Sequence, residues 1–331
     1  MGIMPAGKAP EARAMAKTRK SDEWRRALWR YRNAYLFIAP FYVLFLVFML
    51  FPILFSFWLS FQKWNGIIPP KYAGLSNYVL LLHDSLFWRA LANTLIFTVV
   101  TVSISSALAI VLAVFLNSVR VLRHFYRGVF FLPTIVSLVV ISLIWKLILN
   151  SEVGLINELI HRFGYWWESM TGHLPAWTEK TYHFLDNPRP LVPLLTIAFV
   201  NVWGVVGYNT VIYLAAIQAI PLNLYEACRI DGASPIQRFF YITLPLLRPT
   251  IYFVVLITTI DSLQVFVLPS LMTPNNEATI SIVYYVFRNA FEFYRMGFAS
   301  AAAYVLFALT AVLGIAIRLT LGSETRWVPE E

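Results

Sequence analysis

Polar side chains are scarce in this 331-residue chain, so the few set among apolar neighbours stand out. Asp261 is the sole charge in the run Pro249–Pro274, followed by Ser262 and Gln264, with Phe266 nearby. An ionisable group in mid-membrane is costly and points to function by default. A second group, Asn201, Trp203, Tyr208 and Asn209, surrounds Gly204 and Gly207. Aromatic faces joined to amide and carboxylate hydrogen bonds suit a polyhydroxylated solute. Two readings stand open. These groups line a solute path, led by Asp261 and Tyr208, or they hydrogen-bond between helices and fix packing.

Little else in the chain suggests chemistry. The five histidines are scattered, and none sits in a His-Glu-x-x-His pattern. The single cysteine, Cys228, rules out an intrachain disulfide, and no Cys/His cluster has metal spacing. No nucleophile–base pair or pair of intramembrane carboxylates appears, which argues against an enzyme. Gly2–Ala9 nearly matches a phosphate-binding loop, but it lacks the final Ser/Thr and no strand precedes it. The chain is therefore expected to bind no cofactor or metal and to carry no ATPase of its own.

The surroundings of these residues follow from composition. Hydrophobic residues make up 59% and charged residues 13%, against about 25% charged in soluble domains. The mean hydropathy is +0.66. Several spans must share the chain. Net charge is +9, yet the basic residues flank apolar runs and leave no folded basic domain, so no nucleic-acid partner is expected.

Apolar runs near the roughly 20 residues a span needs place six spans at about 33–62, 90–119, 128–149, 190–221, 249–274 and 296–317. The fourth run is long enough to tilt or break, with Pro193, Gly204, Gly207 and Pro221 as break points. Lys146 sits near the end of span three, where it can snorkel. Ser151–Phe163 reads as a short amphipathic helix in the long loop 150–189, and 275–295 as a polar loop. Residues 1–32 read as a basic tail with an interfacial helix near Trp24–Tyr31, not as a signal peptide. Residues 321–331 form a second tail. The two tails with the adjoining Arg318, the 120–127 loop and Tyr225–Pro249 hold 17 Lys/Arg, against 8 in the three opposite loops. The positive-inside rule then places both termini and Tyr225–Pro249 in the cytoplasm.

Tyr225–Pro249 is the most polar well-patterned segment of the second half. A helix opened by Pro221 is expected from Leu222 to Arg229, broken at Asp231-Gly232. Ser234 is a natural N-cap, with Pro235 at the first helical position of a second helix running to about Thr243. On these features alone an ordinary loop is the alternative. The spacing is more specific. Glu226-Ala227-Cys228, then Gly232, then Ile242-Thr243-Leu244-Pro245 resembles the Glu-Ala-Ala…Gly…Ile-x-Leu-Pro signature of permease subunits of binding-protein-dependent ABC importers. Cys228 replaces the second alanine and stays small. Gly74-Leu75-Ser76-Asn77-Tyr78, Phe87–Thr94, Phe130–Pro133, Gln218–Pro221 and Ala290-Phe291 are similar to the carbohydrate-uptake branch, the maltose- and glycerol-phosphate-type permeases. The resemblance covers about residues 33–320. It departs at Thr273-Pro274-Asn275-Asn276, where the family has Thr-x-Gly-Gly-Pro, and in a longer 165–184 stretch.

The resemblance implies an all-α integral membrane protein of the type I ABC importer permease fold. Residues 33–320 would be the permease domain and 222–248 a cytoplasmic coupling loop. It implies a bacterial plasma-membrane location, a second homologous permease subunit, two ATP-binding cassette subunits that bind ATP and magnesium, and an extracytoplasmic solute-binding protein. Glu226, Ala227, Cys228, Asp231, Gly232, Ile242, Leu244 and Pro245 would couple the chain to the ATPases. Asn201, Trp203, Tyr208, Asn209, Asp261, Ser262 and Gln264 fall on the spans that carry the family's transport path. A secondary transporter or channel would lack the coupling signature. A permease for amino acids or phosphate is the nearer rival.

Overall fold

The computed structural model describes residues 30–119, 123–178 and 180–322. The near-match at Gly2–Ala9, most of the N-terminal tail and the tail beyond Gly322 lie outside the described residues. The chain divides into two units, Met1–Trp58 and Leu59–Glu331.

The first unit contributes most of α1 (Arg32–Ser60), a helix long and apolar enough to cross a membrane. A wide turn at Leu46–Leu50 ends two residues before Pro52. Proline lacks an N–H, and its ring crowds the carbonyl four residues back, so the turn before it opens. Phe51, Phe55 and Trp58 stack along one side of α1.

The second unit begins with a short hairpin, β1 (Gln62–Lys63) paired antiparallel to β2 (Lys71–Tyr72). It continues through α2 (Ser76–His83), α3 (Ser85–Ser118), α4 (Arg123–Ile135), α5 (Leu138–Ile148), α6 (Leu155–Thr171) and α7 (Leu191–Gln218). Then come α8 (Leu222–Ile230), α9 (Pro235–Arg238), α10 (Arg248–Leu263), α11 (Val267–Met272), α12 (Ile282–Phe287) and α13 (Met296–Leu321). The helix α3 is the central post. It enters all three apolar clusters: one with α2, α12 and α13, one with α5, α7 and α11, and one with α7 and α10. Its buried face reads Thr94, Thr98, Thr101, Ser105, Ala109 and Ala113. Small side chains at helical spacing let α7 approach closely, the usual basis of helix packing in lipid.

Four expectations change. Span three is not one straight helix, because α4 and α5 meet at 95°. Ser137 takes extended backbone at the bend. The fourth run does not break. α7 is continuous through Gly204 and Gly207, since Pro193 sits in its first turn, where no N–H partner is lost, and Pro221 lies past its end. Gly207 is needed for proximity instead: a Cβ there would lie 2.1 Å from the Phe130 carbonyl oxygen of α4. The amphipathic helix of the long loop extends eight residues further than expected, to Thr171, where Gly172 ends it at φ +72°. Finally, 275–295 is not merely a polar loop. It holds the buried helix α12, capped by Ser281 and packed in the core.

The Phe87–Thr94 motif explains that burial. Asn93 Nδ2 donates to the carbonyls of Glu277 (3.1 Å) and Ile280 (3.2 Å), and the Ile282 amide donates to Thr94 Oγ1 at 2.9 Å. An ion pair joins Arg89 to Glu277. The departure at Asn275 also has a physical account. Asn275 adopts φ +60°, the left-handed backbone that glycine takes freely and asparagine tolerates best among the other residues.

Candidate solute path and coupling loop

The span carrying Asp261 is broken just beyond it. Helix α10 ends at Leu263, Gln264–Phe266 leave helical geometry, and α11 restarts at Val267. A membrane helix interrupted in this way exposes backbone where it lines a cavity. Here it borders a cleft of about 550 Å³ between α7, α10 and the α4–α5 elbow. Asn201, Tyr208, Asn209, Asp261, Ser262 and Gln264 all line it. Trp203 does not. Its ring packs edge-on against Trp145 on α5, centroids 5.6 Å apart.

The lining residues differ in what holds them. Asn209 is buried, and its Nδ2 reaches Thr258 Oγ1 at 3.3 Å and Ser105 Oγ at 3.5 Å, tying α7 to α10 and α3. It serves packing at least as much as the cleft. Tyr208, Asp261 and Gln264 are exposed. Among the described residues the Asp261 carboxylate accepts no hydrogen bond and pairs with no cation, and no Lys or Arg lines the cleft. Ser262 Oγ is buried without a partner. The α4–α5 elbow was missed as part of this site. It supplies Pro133, Thr134 and Val136 to the wall, and Thr134 Oγ1 donates to the Gly204 carbonyl at 3.3 Å. Pro133 was the visible signal: a proline within a span often marks a bend.

The loop from α7 to α10 closes with two capping motifs. The Ala233 amide donates to the Cys228 carbonyl at 2.9 Å, and the Gly232 amide to the Arg229 carbonyl at 3.2 Å. Gly232 stands at φ +78°. This pair of bonds around a left-handed glycine satisfies the last carbonyls of α8. Next, the Ser234 amide donates to Gln237 Oε1 at 2.7 Å, and the Gln237 amide to Ser234 Oγ at 3.3 Å. That reciprocal capping box, with Pro235 at the first position, starts α9. Helical backbone continues from α9 to about Thr243 as expected, and one turn further to Leu246. A wide turn at Phe239–Thr243 precedes Pro245, as one precedes Pro52.

The loop residues divide by role. Ile242 and Thr243 are buried, and the Tyr225 hydroxyl meets Thr243 Oγ1 at 2.9 Å, pinning α8 to the wide turn on the return side of the loop. Cys228 and Leu244 are half-buried. Glu226, Ala227, Asp231, Gly232 and Pro245 face outward. So do Leu222, Ile230 and Ile236, with Ile230 87% exposed. These apolar side chains were overlooked, although isoleucines flanking Gly232 in a polar segment are an interface signal.

A cleft between spans whose near ends are joined by a rigid, outward-facing helix–glycine–helix loop defines a membrane transport subunit. Residues 105–321 match the model for the binding-protein-dependent transport system inner membrane component, and the chain belongs to that family. It is 35% identical over 298 residues to the lactose transport system permease protein LacF of Rhizobium radiobacter, covering 87% of this chain and 94% of that one. It is 33% identical over 286 residues to the trehalose/maltose transport system permease protein MalF of Thermococcus litoralis, covering 85% and 91%. The fold is shared with the crystal structure of a bacterial ABC transporter involved in import of the polysaccharide alginate. That match has a TM-score of 0.75 at 23% identity, over 92% of this chain and 100% of that chain. The protein is thus a multi-pass membrane permease subunit of an ABC importer, not an enzyme.

Proposed function

We propose that this permease imports a sugar or related polar solute, and that Asp261, Tyr208, Asn201, Ser262 and Gln264 line its path. The observation that carries this reading is their convergence on one cleft, from α7, α10 and the break that follows α10, with the other ends of those helices tied by the coupling loop. Asn209 braces that cleft. The carbohydrate relatives support the solute class. The amide, phenol and uncompensated carboxylate of the cleft suit a neutral polyol better than an anion.

The subunit works beside a second homologous permease and over two ATP-binding cassette subunits that hold ATP and magnesium. Both termini and the 222–248 loop face the cytoplasm. An extracytoplasmic binding protein delivers the solute at the opposite face. Helix α8 sits in a groove of an ATPase subunit, a common mode of helix recognition. Glu226 supplies polar contact there, and Ile230 and Leu222 supply apolar area. Closure of the ATPases on ATP moves the loop, and α7 and α10 follow as rigid levers.

The test is uptake by the reconstituted complex, using a labelled sugar identified as the ligand of the cognate binding protein. Glu226→Lys is expected to abolish uptake and ATPase stimulation while the chain still inserts. Asp261→Ala is expected to abolish uptake with the complex intact. Normal transport by Glu226→Lys would overturn the coupling role. Failure of Asp261→Ala to assemble would make Asp261 a packing residue.

A further inference from the structure

The end of the second unit opposite the 222–248 loop holds a second cavity, of about 450 Å³, unrelated to the solute cleft. The hairpin β1–β2 forms one wall, α2 another, and the turn into α13 the third. Three basic side chains converge on it: Lys63, Lys71 and Arg295. None of them pairs with a carboxylate among the described residues. Arg295 lies over a ring face, 5.1 Å from the Phe298 centroid. With the 222–248 loop in the cytoplasm, as proposed above, this is the end where the charge bias of a membrane protein disfavours Lys and Arg.

The scaffold beneath the cations is rigid. The buried Asn77 Nδ2 donates to the Ser60 carbonyl at 2.8 Å and the Gln62 carbonyl at 2.9 Å. Tyr78 donates to Ser60 Oγ at 2.8 Å. The Gly74–Tyr78 motif therefore holds α2 against the hairpin. Beyond Asn65, Ser76 and Asn77, the rest of the lining is apolar or aromatic, with Trp64, Ile68, Leu80 and Phe298 foremost. On the hairpin and about α2, Ile67, Tyr72, Leu75, Val79 and Leu82 are all exposed. A surface of this kind with aromatic side chains at its edge fits the bilayer interface.

We propose that this cavity binds an anionic phospholipid of the leaflet opposite the 222–248 loop. Lys63, Lys71 and Arg295 hold the phosphate-bearing headgroup, and one acyl chain lies along Ile68 and Leu80. The cations select charge. The apolar wall selects a lipid over a free anion or an acidic loop of a soluble protein. The proposal does not depend on which solute the importer carries.

The test uses the assembled importer in nanodiscs of phosphatidylcholine with one quarter phosphatidylglycerol, released into native mass spectrometry. Phosphatidylglycerol is expected to be retained in preference to phosphatidylcholine. Lys63 and Lys71 are exposed, so K63Q/K71Q should fold and lower that preference, and adding R295Q should lower it roughly a hundredfold in all, at about fivefold per charge. K63R/K71R should restore it. Unchanged retention in the triple variant would overturn the assignment. So would displacement of phosphatidylglycerol by millimolar inorganic phosphate, which would make the site one for a free anion. Weakened capture of the solute-binding protein with lipid retention unchanged would equally overturn it, in favour of a protein docking surface.

Discussion

Replacement of Gly232 separates two accounts of the coupling loop. The residue stands at φ +78°, and a Cβ there would meet nothing within 4 Å. The turn therefore needs glycine for backbone reasons and not for space. A non-glycine residue in this region costs about 1–2 kcal/mol, more when β-branched. Losing the two closing bonds from Ala233 and Gly232 adds about 0.5–1.5 kcal/mol each. For Gly232→Val the sum is roughly 2–5 kcal/mol, enough to unwind the last turn of α8 in the free loop. Asparagine tolerates left-handed backbone, so Gly232→Asn should lose least, Gly232→Ala should be intermediate and Gly232→Val worst. The assay is solute uptake per ATP hydrolysed by the reconstituted complex, with expression and insertion checked in parallel. If the loss followed side-chain size instead, with Asn worse than Ala, a steric contact with the ATPase and not backbone conformation would set the need for glycine.

Further predictions concern the supports of both sites. Ser234→Ala removes the capping box and should cost about 1 kcal/mol of local stability, seen as faster amide exchange over residues 236–243 with the spans unchanged. Gly207→Val should separate α4 from α7, because its Cβ would overlap the Phe130 carbonyl; a lower thermal midpoint of the purified complex checks this, and an unchanged midpoint would contradict the close approach. In the long loop, burial raises the Asp186 pKa, but hydrogen bonds from His183 and Ser151 outweigh it and hold the carboxyl below its ordinary 3.8. A depressed carboxyl pKa adds stability above its unfolded value that is lost as pH falls through the folded one. Acid below about pH 4 should therefore loosen the 150–189 loop, followed by tryptophan fluorescence, and Asp186→Asn should remove that part of the acid response.

The chain's one-dimensional order already determined a good deal. Span-length apolar runs, a glycine and a proline at set distances from Glu226, and Ser234 followed by Pro235 are local features. Helix length, caps and left-handed turns depend on nearest neighbours, so these were legible without a fold. Asp261 and the amides around Gly207 could be named as a polar group because charge is so rare in these spans. What was not legible depended on contacts between distant segments. Whether α7 bends at its glycines is decided by α4, whose Phe130 carbonyl fills the space a side chain would take. Whether 275–295 is a loop is decided by Asn93 and Thr94, nearly two hundred residues earlier, which satisfy its backbone and let it be buried. Trp203 and Tyr208 looked equivalent in the sequence. Only the packing of Trp145 turns one away from the cleft and leaves the other facing it. Backbone hydrogen bonding in a membrane is satisfied within a helix when the chain is left alone, so periodicity reveals where helices lie. Where they break, and which side chains they turn toward one another, is set by partners that the periodicity does not contain.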